Sequence, residues 1–328
     1  MKEAREELSG EMEYHRFLQY AFVRQWSRLR NICDRRGISL VGDIPVYVSH
    51  DSADVWANRH LFDLDDSGRP ECVAGVPPDY FSGDGQRWGN PLYRWDILEE
   101  DGFGWWIRRL EHTLSHFDLV RIDHFRGLIK YWSIPASETT AMKGQWKDAA
   151  PQGFFAKLSE VFPGMPFIAE NLGVITPDVT AWMEHLCLPG MLVLQFAFGS
   201  DFEKNPYAPA NHPENACVYT GTHDNNTSRG WLEAETSPAI RKQLGRLAGH
   251  KVTPETVSMD MIGFALASKA RFAIFPMQDL LGLGPEARFN TPGTSSGNWL
   301  WRLEDRDLDI APASSLAELA AKQGRNFS

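Results

Sequence analysis

Cysteine is scarce. Cys33, Cys72, Cys187 and Cys217 stand far apart with no CxxC pair, so neither a structural zinc site nor a disulfide framework is indicated, and the four read as reduced thiols of a cytosolic protein. Long apolar runs are also missing. No stretch approaches the roughly 20 apolar residues of a membrane helix, and residues 1–10 are charged where a signal peptide would be apolar. Positive charge is not in excess either: the formal net charge is −10 at pH 7. That balance argues against nucleic acid or an anionic membrane as a partner, because both require a cationic surface. A neutral substrate and a cytoplasmic location are the expectations.

What the chain does have is apolar residues and rings. Its 328 residues are 43% hydrophobic and 23% charged, the composition of a globular protein with a large core, and one big α/β domain fits at least as well as two ordinary ones. The 12 Trp, 19 Phe and 8 Tyr supply that core, and exposed rings of the same kinds offer flat faces for sugar stacking.

Residues 12–36 read as a helix, since Phe17, Leu18, Phe22, Trp26, Leu29 and Ile32 keep one face apolar and Arg and Gln fill the other. Gly37 stops it. A strand is predicted over 38–48, followed by a loop-rich stretch over 49–101 without sustained period. From residue 102 the pattern alternates: helix 102–116, strand 119–125, helix 153–162, strand 167–172, helix 179–186, strand 191–198, strand 217–222, helix 261–269, strand 272–277. The strands are nearly all apolar, as when both faces are covered. Six such strands among helices indicate a parallel α/β sheet. Asp43, Asp123, Glu170, Asp224 and Asp279 all fall at or just after strand C-termini, where barrel enzymes assemble sites from many loops; an open sheet would gather its site at one switch point. The expected fold is therefore a (β/α)8 TIM-barrel type, incomplete, with six of its eight strands, forming a single catalytic domain over 1–328.

Three carboxylates carry the chemistry. In Val120-Arg-Ile-Asp-His-Phe-Arg-Gly127, side chains at i and i+2 share a strand face, so Arg121 lies beside Asp123 and favours its ionised form; taken alone the pair also reads as an ordinary ion pair. Glu170 follows Phe167-Ile-Ala169, semi-buried surroundings that raise a carboxyl pKa as a general acid requires; its alternative is a helix cap. Asp224 follows His223, a pair suited to gripping sugar hydroxyls, with a metal-ligand fragment or a structural contact as the alternative. Three acids on three strand ends suggest glycoside chemistry, which uses paired carboxyl groups around an oxocarbenium-like transition state. The segment 74–95, AGVPPDYFSGDGQRWGNPLYRW, reads as a long loop, and Tyr80, Phe81, Trp88, Tyr93 and Trp95 are too many rings for a solvated connection. They either face a carbohydrate or pack as satellite core.

Gly42-Asp-Ile-Pro-Val-Tyr-Val48, Pro77-Pro-Asp-Tyr-Phe-Ser82 running into Gly85-Gln-Arg-Trp-Gly-Asn-Pro-Leu-Tyr93, then VRIDHFRG, AENLG, LQFAF, YTGTHDNNT and ARFNTPGT closely resemble, in order over residues 12–302, the amylomaltases. These are the 4-α-glucanotransferases of glycoside hydrolase family 77. The resemblance implies Asp123 as the nucleophile, Glu170 as the general acid/base, and Asp224 as the residue that distorts and stabilises the sugar. It also implies substrate contacts from Asp43, Arg121, His124 and His223, from the 49–101 region through Tyr80, Phe81, Trp88 and Asn90, and from Asn298 in the closing segment with Trp299. Asn171 stands where the family commonly has aspartate. The family further carries a long segment, with two barrel strands, before the helix at residue 12, so the chain is expected to lack the N-terminal part of that domain.

The implied reaction is transfer of α-1,4-glucan segments with retention, from maltooligosaccharides or starch- or glycogen-derived chains to the 4-hydroxyl of glucose or another glucan. It calls for no metal or organic cofactor. Two rivals stand beside it: an α-amylase-type hydrolase with the same carboxylates, and an inactive glucan-binding fragment.

Overall fold

The computed structural model describes residues 2–78, 82–294, 296–310 and 312–325. The chain forms two compact units, 1–187 and 188–328.

Among its described residues the first unit holds seven strands: β1 (Val41–Pro45), β2 (Cys72–Val76), β3 (Gln86–Pro91), β4 (Leu119–Asp123), β5 (Lys130–Pro135), β6 (Gln145–Asp148) and β7 (Phe167–Ala169). β1, β4 and β7 are parallel neighbours in that order, each reached through helical crossovers that include Gly104–Leu114 and Pro151–Val161. Val120, Ile122 and the whole of β7 are buried, which is why these strands read as apolar runs rather than alternating ones. Gly42 is required where it stands: a Cβ there would lie 2.4 Å from the Phe117 ring.

The loop expected over 49–101 is only partly a loop. β2 pairs antiparallel with β3 and with β5, and β5 with β6, giving a second sheet of order β3-β2-β5-β6. Its strands escape the periodicity test because β3 reads Gln-Arg-Trp-Gly-Asn-Pro and β6 Gln-Trp-Lys-Asp, and a register shift interrupts β2 against β3. Tyr93 and Trp95, 3% and 6% exposed, are core residues, Tyr93 among the rings of Phe62, Trp105 and Trp106 and Trp95 against Phe154.

The helix foreseen over 12–36 spans Ser9–Arg35. Its apolar stripe does not lie in the core. Trp26 donates to the His116 carbonyl, Arg30 pairs with Asp118 and Cys33 is buried, so one narrow line docks. Phe17, Leu18, Phe22, Leu29 and Ile32 are 42–63% exposed.

The second unit holds β8 (Gly190–Val193), β9 (Ala216–Tyr219) and β10 (Phe272–Ile274), all parallel, with β9 central. Helices Ser228–Ala234, Pro238–Ala248 and Val257–Ala267 cover them, burying Leu194, Val218, Leu244, Val257 and Met261. The parallel strands of the two units number six among the described residues, β1, β4, β7, β8, β9 and β10, as read from the sequence and two short of a closed (β/α)8 barrel. No described helix is long and apolar enough to cross a membrane.

Candidate active site

Register brings together the expected residues of the first unit. Asp43 of β1 is the partner of Arg121 on β4, and Ile122 is the partner of Ala169 on β7. One step further along those two strands come Asp123 and Glu170, on the same face of neighbouring strands spaced roughly 4.8 Å apart. The ladder continues past the strand ends, since Glu170 N donates to the Ile122 carbonyl at 3.0 Å and Phe125 N to that of Glu170 at 3.2 Å.

Arg121 is the hub. One guanidinium nitrogen donates to both oxygens of Asp43 at 2.8 and 2.9 Å, and the other to Asp123 Oδ1 at 2.7 Å. Burial opposes its charge, but Asp43, Asp123 and Glu170 outweigh burial and hold the guanidinium above its ordinary pKa. The arginine side chain is 12% exposed and the Asp123 carboxylate 45%. A cation largely withdrawn from solvent thus fixes a carboxylate that remains partly exposed.

Glu170 is set up differently. It is half-buried, and its two oxygens accept backbone N–H groups, Oε1 from Leu172 and Oε2 from His124, each at 2.7 Å. Burial, reinforced by the Asp123 charge, raises its pKa to about 7 against the opposing pull of the two N–H donors and Arg121. Of the two carboxyl groups in adjacent register, Glu170 has the raised pKa that an acid role requires, and Asp123 has the guanidinium contact.

His124 has a left-handed backbone, φ 53°, a conformation that costs a non-glycine residue free energy and tends to persist at functional sites. Here it turns the chain so that the His124 N–H meets Glu170. Burial pushes its imidazole down to about 4, with Asp123 opposing and Arg126 reinforcing that shift, so the ring is neutral near pH 7. Trp88, 39% exposed, meets His124 edge-on at 4.8 Å between centroids. Asn90 donates to the Val48 carbonyl. Tyr80 and Phe81 lie outside the described residues.

The second unit carries the other expected residues. Asp224, beyond β9, is 48% exposed, with His223 Nε2 3.5 Å from its Oδ1. Asn290 Nδ2 donates to that oxygen at 2.6 Å, and Arg288 holds the Asp224 carbonyl at 2.6 Å. Asn290 and Arg288 were not singled out from sequence. They sit in the ARFNTPGT motif, but nothing local ties that motif to a loop more than 60 residues earlier. Asn298 spends its amide within its own loop, accepting from Thr291 N and donating to the Thr294 carbonyl. Trp299 stacks on Phe289 and lies 5.2 Å from the His223 ring.

The sequence profile of the family described as 4-alpha-glucanotransferase, glycoside hydrolase family 77, matches residues 1–308. The chain belongs to this family. It is 49% identical over 325 residues to the 4-alpha-glucanotransferase of Thermus thermophilus, covering 98% of this chain and 65% of that protein. It is 46% identical to the chloroplastic/amyloplastic 4-alpha-glucanotransferase of Solanum tuberosum, covering 94% of this chain and 53% of that one. The chain thus spans about two thirds or less of the length of these 4-alpha-glucanotransferases. The amylomaltase of Streptococcus agalactiae, solved in complex with acarbose, superposes with a TM-score of 0.94 at 36% identity, covering 100% of this chain and 66% of that one. An amylomaltase of Corynebacterium glutamicum, at 19% identity and TM-score 0.77, shares the fold.

Proposed function

We propose that the protein is a retaining 4-α-glucanotransferase acting on α-1,4-glucans. The observation that carries this reading is the pairing of Asp123, ion-paired to a largely buried Arg121, with a Glu170 whose pKa is lifted to about 7. Strand spacing of roughly 4.8 Å suits the short separation, about 5–5.5 Å, that retaining glycosidases keep between their carboxyl groups.

In the first step Asp123 attacks the anomeric carbon while Glu170 delivers its proton to the departing glucan oxygen. A covalent glucosyl ester on Asp123 results. Glu170, now ionised, takes the proton of an acceptor 4-hydroxyl, which displaces Asp123 and restores the α-linkage. Arg121 disperses charge on the nucleophile and orients it. The neutral His124 holds Glu170 through its backbone N–H and packs its ring edge-on against Trp88; a contact of His124 with the sugar rests on the family resemblance. Asp224, held by Asn290, and its neighbour His223 grip the sugar at the cleavage point; their assignment rests on the resemblance of the THDNN motif. Trp88 provides an apolar face on the acceptor side, favouring a sugar over water.

Maltooligosaccharides and longer α-glucans are the donors, glucose and glucans the acceptors, and the cytoplasm the place of action. Acarbose in the relative's structure supports a glucan-shaped site. Incubation of the purified protein with maltotriose tests the reading. Glucose together with maltopentaose and longer chains is the expected product set; short reducing sugars without elongation would indicate a hydrolase instead.

A further inference from the structure

One buried carboxylate in the second unit has no part in the mechanism above. Asp279, on the helix Met277–Leu280 that follows β10, is 1% exposed. An ionisable group is kept in such a place only when it is fully hydrogen-bonded. Its Oδ2 accepts the Thr220 hydroxyl at 2.6 Å and the Ser228 hydroxyl at 2.7 Å, and its Oδ1 accepts the Ser228 N–H at 2.7 Å.

The positions of those donors matter more than their number. Thr220 is the residue that follows the last residue of β9, and Ser228 is the first residue of the helix Ser228–Ala234. Between them run Gly221-Thr222-His223-Asp224-Asn225-Asn226-Thr227. One carboxylate therefore grips both ends of the loop that bears His223 and Asp224. The loop is braced further along its length: Gln195 donates to the Asn226 carbonyl at 2.9 Å, and Asn225 Oδ1 accepts both the N–H and the hydroxyl of Thr222 at 2.9 Å. Gly221 leaves room for the Gln195 amide, which a Cβ would meet at 2.7 Å. The Gln195 and Asn225 contacts brace the loop along its length, and Asp279 hydrogen-bonds to the residues at both of its ends.

We infer that Asp279 is a positioning residue that sets where Asp224 stands by clamping residues 220 and 228 together from beneath the loop. This inference rests on the proposed role of Asp224 in holding the sugar. Asp279→Asn is close in size and keeps an oxygen for the Ser228 N–H, but it replaces the second acceptor by an amide and removes the charge. Catalytic geometry tolerates only small displacements, so a loosened loop weakens sugar binding without unfolding the unit.

The test is a double-mutant cycle read by equilibrium binding of acarbose, which needs no turnover. Asp279→Asn is expected to weaken acarbose binding about tenfold in the otherwise native protein and less than twofold in an Asp224→Asn background, because the residue acts through Asp224. Equal losses in both backgrounds would overturn the inference. If Asp224→Asn by itself leaves acarbose binding unchanged, the fault lies with the role given to Asp224. Amide hydrogen exchange supplies a readout independent of ligand. Asp279→Asn should speed exchange across 221–227 and leave the helix Val257–Ala267 protected; unchanged exchange in the loop, or acceleration spread evenly over the unit, would refute the clamp even in a protein that binds no acarbose.

Discussion

Replacing Glu170 by glutamine removes a titration while keeping the size of the side chain, and the environment of Glu170 sets what that change does to stability. The folded protein raises this carboxyl from its ordinary 4.5 to about 7. The folded state therefore holds the proton more tightly than the unfolded state. The stability so contributed is fully present below pH 4.5 and is lost as the pH rises through 7. Evaluated between pH 5 and pH 8.5, the native protein should lose ~2.5 kcal/mol relative to Glu170→Gln. Glutamine brings its own penalty, since one of the N–H groups of His124 and Leu172 then faces an amide –NH2; at about 1–3 kcal/mol it is the same at both pH values and drops out of the difference. Urea unfolding of both proteins at several pH values is the assay. Stability curves that stay parallel within about 0.5 kcal/mol from pH 5 to 8.5 would refute the raised pKa, and with it the argument that Glu170 is protonated when a leaving group needs its proton.

Arg121→Lys should lower stability by about 1–3 kcal/mol and kcat by about a hundredfold, because an ammonium cannot serve Asp43 and Asp123 in two directions as the guanidinium does; thermal melts and maltotriose kinetics check it. Asn290→Ala frees Asp224 Oδ1 of its 2.6 Å donor and should reduce kcat/KM roughly tenfold, the loss of about one hydrogen bond, with Tm nearly unchanged. Trp88→Ala should raise the ratio of hydrolysis to transfer, measured as free reducing ends against elongated products, because an exposed apolar ring beside His124 is lost. Gly42→Ala should destabilise by about 1–3 kcal/mol, as its new methyl meets the Phe117 ring, which denaturant titration would show.

The alternation of helices with apolar runs was legible because each strand of the parallel set is buried on both faces and carries its signal locally. Asp123 and Glu170 were legible for the same reason: they are the first polar side chains after Ile122 and Ala169, where burial ends. The antiparallel sheet was not. β3 and β6 owe their structure to partners across the sheet, and strings such as Gln-Arg-Trp-Gly-Asn-Pro carry no period of their own. Tyr93 and Trp95 looked like the other rings of the 74–95 segment, and only their neighbours make them core. The face of the Ser9–Arg35 helix was read correctly as apolar, but amphipathicity states which face is apolar and not whether the described residues cover it. Asn290 and Asp279 act on the Asp224 loop from more than 50 residues away, a relation that exists only once β9 and β10 are paired.

In the proposed reaction Asp123 carries a glucosyl group during transfer. Glu170→Gln mixed with an α-maltotriosyl fluoride, whose fluoride departs without an acid's help, should accumulate the covalent ester, since the next step lacks its base. Digestion and mass spectrometry should then find the peptide containing Asp123 heavier by a maltotriosyl unit and unmodified in Asp123→Asn. An adduct on any other residue, or fluoride release with no adduct under rapid quench, would show that Asp123 is not the nucleophile.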